Sequence, residues 1–82
     1  MEKDKIYENV TQAFRKVLEH ENFNLKDTTS ADDVEGWESI THMMIITEIE
    51  NQLNIKFKLM DLMNMHNVGD LVKSIDKELH SN

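Results

Sequence analysis

Ser39 is the residue of this chain best placed to do chemistry. It lies in Gly36-Trp37-Glu38-Ser39-Ile40, where a charged segment gives way to an apolar stretch with helical spacing. A serine at such a junction is expected to be exposed at a helix N-terminus, whose partial positive charge favours a phosphate group. The alternative is structural, because serine is also a favoured N-cap residue. Ser39 is therefore interpreted either as an attachment point for a phosphate-linked group or as a helix cap.

The other polar residues give little support to a catalytic or metal-binding role. His42 lies about one helical turn beyond Ser39, but no acidic residue is evident that would orient its ring, which argues against a hydrolytic enzyme. The chain has no cysteine, and no pair of its histidines shows the local spacing of a zinc site. These histidines are His20, His42, His66 and His80. We predict no catalytic residue and no metal site.

The composition narrows the class of protein. The 82 residues suffice for a single domain over residues 1–82, with a modest core. The formal charge of −7, from 9 basic and 16 acidic residues, argues against a nucleic-acid binder, which needs a basic patch. No apolar run is long enough to span a membrane, and no signal peptide follows Met1. With no cysteine in the chain, a cytoplasmic location is compatible and is predicted.

Helices must position Ser39, because the chain has no proline and only two glycines to interrupt them. The spacing of apolar residues predicts a first helix over about Lys3–His20 and a long connection over residues 21–38, with a short helical turn near residues 30–34. The remaining helices are expected over Ser39–Leu53, Leu59–Met63 and Val68–Leu79. The predicted fold is all-α, a four-helix bundle with a long first loop and a short third helix.

The second helix is expected to be apolar over a wide face. Its predicted buried residues are Ile40, Met43, Met44, Ile46, Ile49 and Leu53, with Ile45 widening the face so that both sides meet protein. Trp37 is expected to be partly buried and to shape the surface around Ser39. Methionine is unusually frequent after residue 42, and its soft side chain adapts to irregular shapes.

This layout resembles the acyl carrier protein family over almost the whole chain. In the family motif an acidic residue precedes the serine and an aliphatic residue follows it, as Glu38 and Ile40 do here. Val68-Gly69-Asp70 also resembles the opening of the family's last helix. The resemblance implies that Ser39 carries a covalent 4′-phosphopantetheine arm. It further implies that the chain is a carrier of thioester-bound acyl or aminoacyl cargo and not an enzyme.

The resemblance also implies a set of partners and surfaces. A phosphopantetheinyl transferase would modify Ser39, an acyl- or aminoacyl-activating ligase or an acyltransferase would load the arm, and a downstream synthase or transferase would take the cargo from a monomeric carrier. The implied docking surface comprises Glu38, Ile40, Met43, Met44 and Glu50. The implied cargo cleft lies between the second and third helices, at Met43, Met60 and Met63. The alternative is a small helical interaction module without a prosthetic group.

The chain departs from the family pattern in two places. Glu38 stands where aspartate is usual, so the carboxylate reaches one methylene further. The second helix then opens with Thr41-His42-Met43-Met44, and acidic residues arrive only at Glu48 and Glu50. Weak negative charge there implies a more apolar contact with partners. We therefore predict a carrier of a specialised pathway, with fatty acyl, aminoacyl and polyketide cargo all open.

Overall fold

Helices make up the regular secondary structure of the computed structural model, which describes residues 2–80. They are α1 (Lys3–Leu18), α2 (Ser39–Leu53), α3 (Leu59–Met63) and α4 (Val68–Leu79). A 3-10 turn at Ala31–Asp33 interrupts the long connection between α1 and α2. No strand occurs within residues 2–80, and the predicted all-α fold with a short third helix is confirmed.

The predicted helix bounds agree with the structure except at the end of α1. That helix stops at Leu18, because Glu19 turns into the left-handed region (φ 59°) while its N–H donates to the Arg15 carbonyl. The prediction extended to His20. A left-handed residue at this position satisfies one of the last helical carbonyls and redirects the chain.

The core lies where α1 meets α2 and α4. Each helix contributes a stripe of buried aliphatic side chains, and the largest fully buried residues include Phe14, Ile45, Ile49, Leu71 and Ile75. An α-helix advances 100° per residue, so residues three and four apart share one face. This spacing explains why periodic apolar residues of three separate segments can close one small core.

The expectation that Ile40, Met43 and Met44 are buried is wrong. Their exposed fractions are 78, 49 and 51%, whereas Ile45 and Ile46 on the same helix are at most 2% exposed. Two apolar stripes run along opposite sides of α2, and only one of them packs against the bundle.

The long connection is fastened to the start of α4. The N–H groups of Val68 and Gly69 donate to the carbonyls of Thr29 (2.8 Å) and Asp27 (2.9 Å). A Cβ at position 69 would lie 2.8 Å from the Asp27 carbonyl oxygen, so only glycine allows this approach. The Asp27 carboxylate in turn accepts hydrogen bonds from Tyr7 and Lys3 of α1.

These hydrogen bonds also shift the pKa values of Tyr7 and Asp27. Burial, together with the hydrogen bond to Asp27, raises the pKa of Tyr7 to about 12. The hydrogen bonds from Tyr7 and Lys3 lower the pKa of the Asp27 carboxyl. The loop that leads to Ser39 is therefore held from both sides, by α1 and by α4.

Candidate functional site

Ser39 is the first residue of α2, and its side chain is exposed. The N-cap is the preceding residue, Glu38, in an extended conformation (φ −132°, ψ −177°). The Glu38 N–H donates to Thr41 Oγ1 at 2.7 Å, and this hydroxyl donates to the Gly36 carbonyl at 2.6 Å. The alternative interpretation of Ser39 as the helix cap is therefore excluded, because Glu38 and Thr41 supply the cap.

The Ser39 hydroxyl is left without an intramolecular role. Within residues 2–80 it makes no hydrogen bond, and no carbonyl accepts the N–H groups of Ser39 and Ile40. Unpaired N–H groups at a helix start carry partial positive charge and attract anions. The local geometry thus presents a free hydroxyl beside groups that favour a phosphate.

Gly36 and Trp37 set the angle at which the chain enters α2. Gly36 adopts φ +85°, a left-handed conformation that strains other residues. Trp37 is buried to 5% exposure, and its ring contacts Phe14 edge-on with centroids 4.9 Å apart. Trp37 is thus more deeply buried than predicted, and it anchors the segment that carries Ser39 to the core.

His42 is bound to Trp37 rather than to Ser39. The indole Nε1–H donates to His42 Nδ1 at 3.0 Å, so Nδ1 carries no proton and the neutral ring has its proton on Nε2. Burial lowers the pKa of His42, which favours this neutral form. No hydrogen bond joins His42 to Ser39 in the described part of the chain, and the pair has no geometry for activating a nucleophile.

The acidic residues of α2 are engaged within the molecule. Glu48 Oε2 lies 3.0 Å from Gln52 Nε2 and 3.2 Å from Lys16 Nζ, and these two contacts lower the pKa of the Glu48 carboxyl. Glu50 Oε2 accepts the N–H of Phe57 at 3.0 Å, which fixes the link between α2 and α3. Glu50, expected on the docking surface, is therefore half-buried and occupied.

The remaining residues expected to dock partners surround Ser39. Glu38, Ile40, Met43 and Met44 are all exposed. Apart from Glu38, the surface that they form is apolar. The docking role of these residues stays a prediction.

A groove between α1 and α2 begins at Ser39, and sequence reasoning missed it. We call it the α1–α2 groove: its volume is about 770 Å³, with Val17, Ile40, Met43 and Met44 as its apolar wall and Lys16, Thr47 and Glu48 at its polar edge. The helical spacing of residues 40, 43, 44 and 47 was a usable signal, since it places them on one face.

Met60 and Met63 do not line this groove with Met43. They project from α3 with exposed fractions of 73 and 70%. The cargo cleft expected at these three methionines thus draws on two different surfaces of the molecule. It too stays a prediction.

A smaller depression lies on the other side of Ser39. Its volume is about 350 Å³, and Trp37, His42, Met65 and His66 line it. We call it the tryptophan pocket. Ser39 stands on the ridge that separates it from the α1–α2 groove.

No group of three histidine or acidic side chains within residues 2–80 is arranged to hold a metal ion. No helix among these residues has the length and apolar character required to cross a membrane.

Comparisons with known proteins agree with this geometry. Residues 8–75 match the family model described as the phosphopantetheine attachment site. The solution NMR structure of a holo acyl carrier protein from Geobacter metallireducens is 36% identical and superposes with a TM-score of 0.81, the match covering 92% of each chain. Among curated proteins, none matches this sequence closely enough to count as a relative. The chain belongs to the acyl carrier protein family, whose members are carriers rather than enzymes and hold 4′-phosphopantetheine covalently.

Proposed function

We propose that Ser39 carries the 4′-phosphopantetheine arm and that the chain presents acyl or aminoacyl cargo to the enzymes of one pathway. The observation that carries this proposal is the free, exposed hydroxyl of Ser39 at the first position of α2. When bound, the arm supplies a terminal thiol that holds cargo as a thioester. The protein contributes the tether point, which raises the concentration of cargo near each docked partner.

The surroundings of Ser39 suit the attached group. The N–H groups of Ser39 and Ile40 have no carbonyl partner in the described residues and would hold the phosphate. Other hydroxyl groups of the region are already used: Thr41 caps α2, and Ser30 lies 3.4 Å from the Asp33 carboxylate. The exposed Ser39 hydroxyl is therefore one that an external transferase can reach without breaking a structural contact.

The partners in this proposal meet an apolar surface. Ile40, Met43 and Met44 are exposed, and Glu38 is the exposed acidic residue among the predicted docking residues. Glu48 and Glu50 are held by internal contacts. The partner enzymes would thus bind α2 largely through apolar contact. These partners are the ligase or acyltransferase that loads the arm and the synthase or transferase that takes the cargo. Such binding depends weakly on salt, since exposed charges are the interactions that ions screen.

This surface supports a specialised pathway rather than housekeeping fatty-acid synthesis. The proposal is of a monomeric carrier in the cytoplasm. The absence of cysteine is compatible with that location.

Intact-mass measurement tests the proposal directly. Apo protein is incubated with coenzyme A and a broad-specificity phosphopantetheinyl transferase, and we expect a gain of one phosphopantetheine. Ser39→Ala removes the gain, whereas the control Ser30→Ala retains it. No gain, under conditions that modify another carrier, would overturn the proposal in favour of a helical interaction module without a prosthetic group.

A further inference from the structure

We propose that the pantetheine arm, which on the proposed function is attached at Ser39, lies along the α1–α2 groove. The arm would rest on Ile40, Met43 and Met44 and not between α2 and α3. Ser39 itself lines the groove, so the tether begins at one end of it. A covalent tether makes binding to an adjoining surface intramolecular and therefore effective even when the contact is weak.

The groove has a length and a far end. From Ser39 to Glu48 the helix axis advances about 14 Å at 1.5 Å per residue. At Glu48 the groove is crossed by an ion pair, because Lys16 Nζ of α1 lies 3.2 Å from Glu48 Oε2 of α2. The apolar wall thus forms a bounded track that leads away from the attachment point.

The chemistry of the wall matches that of the arm. Pantetheine carries a pair of geminal methyl groups and two amides. Met43 and Met44 are about half exposed and can adapt to the methyl groups. Thr47 Oγ1 donates to the Met43 carbonyl at 3.0 Å, which leaves its lone pairs to accept an amide N–H at the edge of the groove.

The tryptophan pocket and the exposed surface of α3 suit the arm less well. The tryptophan pocket has about half the volume of the groove, and the Trp37 Nε1–H and His42 Nδ1 in it are already paired with each other. Met60 and Met63 stand exposed on α3 and form no wall of the α1–α2 groove.

Arm and partners would then compete for the same residues. Ile40, Met43 and Met44 form both the wall of the groove and most of the exposed apolar surface around Ser39. A partner that covers them displaces the arm from the groove.

The methionines provide natural reporters for the three surfaces. We would label methionine methyl groups with carbon-13 and record cross-relaxation from the geminal methyl protons of the arm in holo protein. The expected result is contact with Met43 and Met44 and none with Met60 or Met63. Contact with Met65 instead would place the arm in the tryptophan pocket, and contact with Met60 or Met63 would place it on α3. Either result, or no contact at all, overturns the proposal.

A pair of matched variants distinguishes binding of the arm in the α1–α2 groove from mere proximity of the arm to Ser39. Met44→Asp puts a charge into the wall, and we expect it to abolish the contact between the arm and Met43. Met60→Asp makes the same change at an exposed methionine of α3 and should leave that contact intact. Persistence of the contact in Met44→Asp, with the fold verified by circular dichroism, would contradict the proposal.

Failure of the proposed function is distinguishable from failure of this inference. The intact mass shows whether the arm is attached before any contact is measured. A mass gain without contact at Met43 and Met44 overturns only the placement of the arm in the α1–α2 groove. Absence of the mass gain overturns attachment at Ser39 and the groove together.

Discussion

The N-termini of α2 and α4 are built in opposite ways. At α4 the N–H groups of Val68, Gly69 and Asp70 are all accepted, by the carbonyls of Thr29 and Asp27 and by the Asn67 side chain at 2.8 Å. At α2 the N–H groups of Ser39 and Ile40 have no carbonyl acceptor in the described chain. A helix start that is closed by the fold contributes stability, and one that is left open remains free for chemistry.

A similar contrast divides the two faces of α2. Ile45, Ile46 and Ile49 face the core, where they are at most 2% exposed. Ile40, Met43 and Met44 lie on the opposite side and remain exposed. Burying a large apolar side chain contributes about 1.5–3 kcal/mol to stability. By leaving Ile40, Met43 and Met44 exposed, the protein gives up this contribution and keeps an apolar surface beside Ser39.

The largest expected effect on function comes from Ser39→Ala. Because the hydroxyl makes no intramolecular hydrogen bond, its loss should abolish attachment while changing the free energy of unfolding by less than about 0.5 kcal/mol. Intact mass and urea denaturation measure the two quantities. A substantial loss of stability would show that the α2 start is structural, as the α4 start is, and would break the contrast.

The largest expected effect on stability comes from Gly69→Ala. The added Cβ would lie 2.8 Å from the Asp27 carbonyl oxygen, so the loop must move away from α4. Overpacking of this kind costs about 1–3 kcal/mol, and we expect the upper part of that range in urea denaturation. The matched variant Gly36→Ala meets only Leu18 at 3.6 Å and should lose about 1–2 kcal/mol, from its positive φ alone. Equal losses would contradict the steric argument.

Removing the cap at each helix start should cost less. Asn67→Ala deletes the acceptor of the Asp70 N–H, and a lost N-cap typically costs about 1 kcal/mol. We expect this variant to keep full modification of Ser39, as judged by intact mass. Thr41→Val deletes the cap of α2 at similar cost, and it should also slow modification because the same hydroxyl holds the turn before Ser39. Equal modification rates in both variants would indicate that the α2 cap does not position Ser39.

The smallest expected effect is a pH dependence at the start of α2. Burial lowers the pKa of His42 in the folded protein, so the unfolded chain binds the proton more tightly. The stabilising contribution of the neutral ring is therefore complete above about pH 6.5 and is lost as the pH falls towards the lower folded pKa. Urea denaturation at pH 7.5 and pH 5.5 should show this decrease, and His42→Gln should reduce it. His66→Gln serves as the control and should leave the decrease unchanged.

The fold was predictable from the sequence because its signals are local. Without proline, the apolar periodicity and the two glycines divide the chain into helices whose bounds match the structure almost throughout. The error at the end of α1 arises because Glu19 takes up a left-handed conformation for which its residue type gives no signal. That Ser39 is exposed at the start of α2 was also predictable, from its junction, whereas its attachment role stays a prediction.

The sequence by itself determined the helices and the serine that opens α2. The tertiary structure decided which apolar residues of α2 are core and which are surface, because burial depends on whether another element covers a face. Periodicity shows only that residues share a face. The Glu38–Thr41 cap and the Glu50–Phe57 contact are local in sequence. The tertiary structure likewise decided that Lys16 of α1 holds Glu48, because these residues are 32 positions apart and meet only when the bundle is assembled.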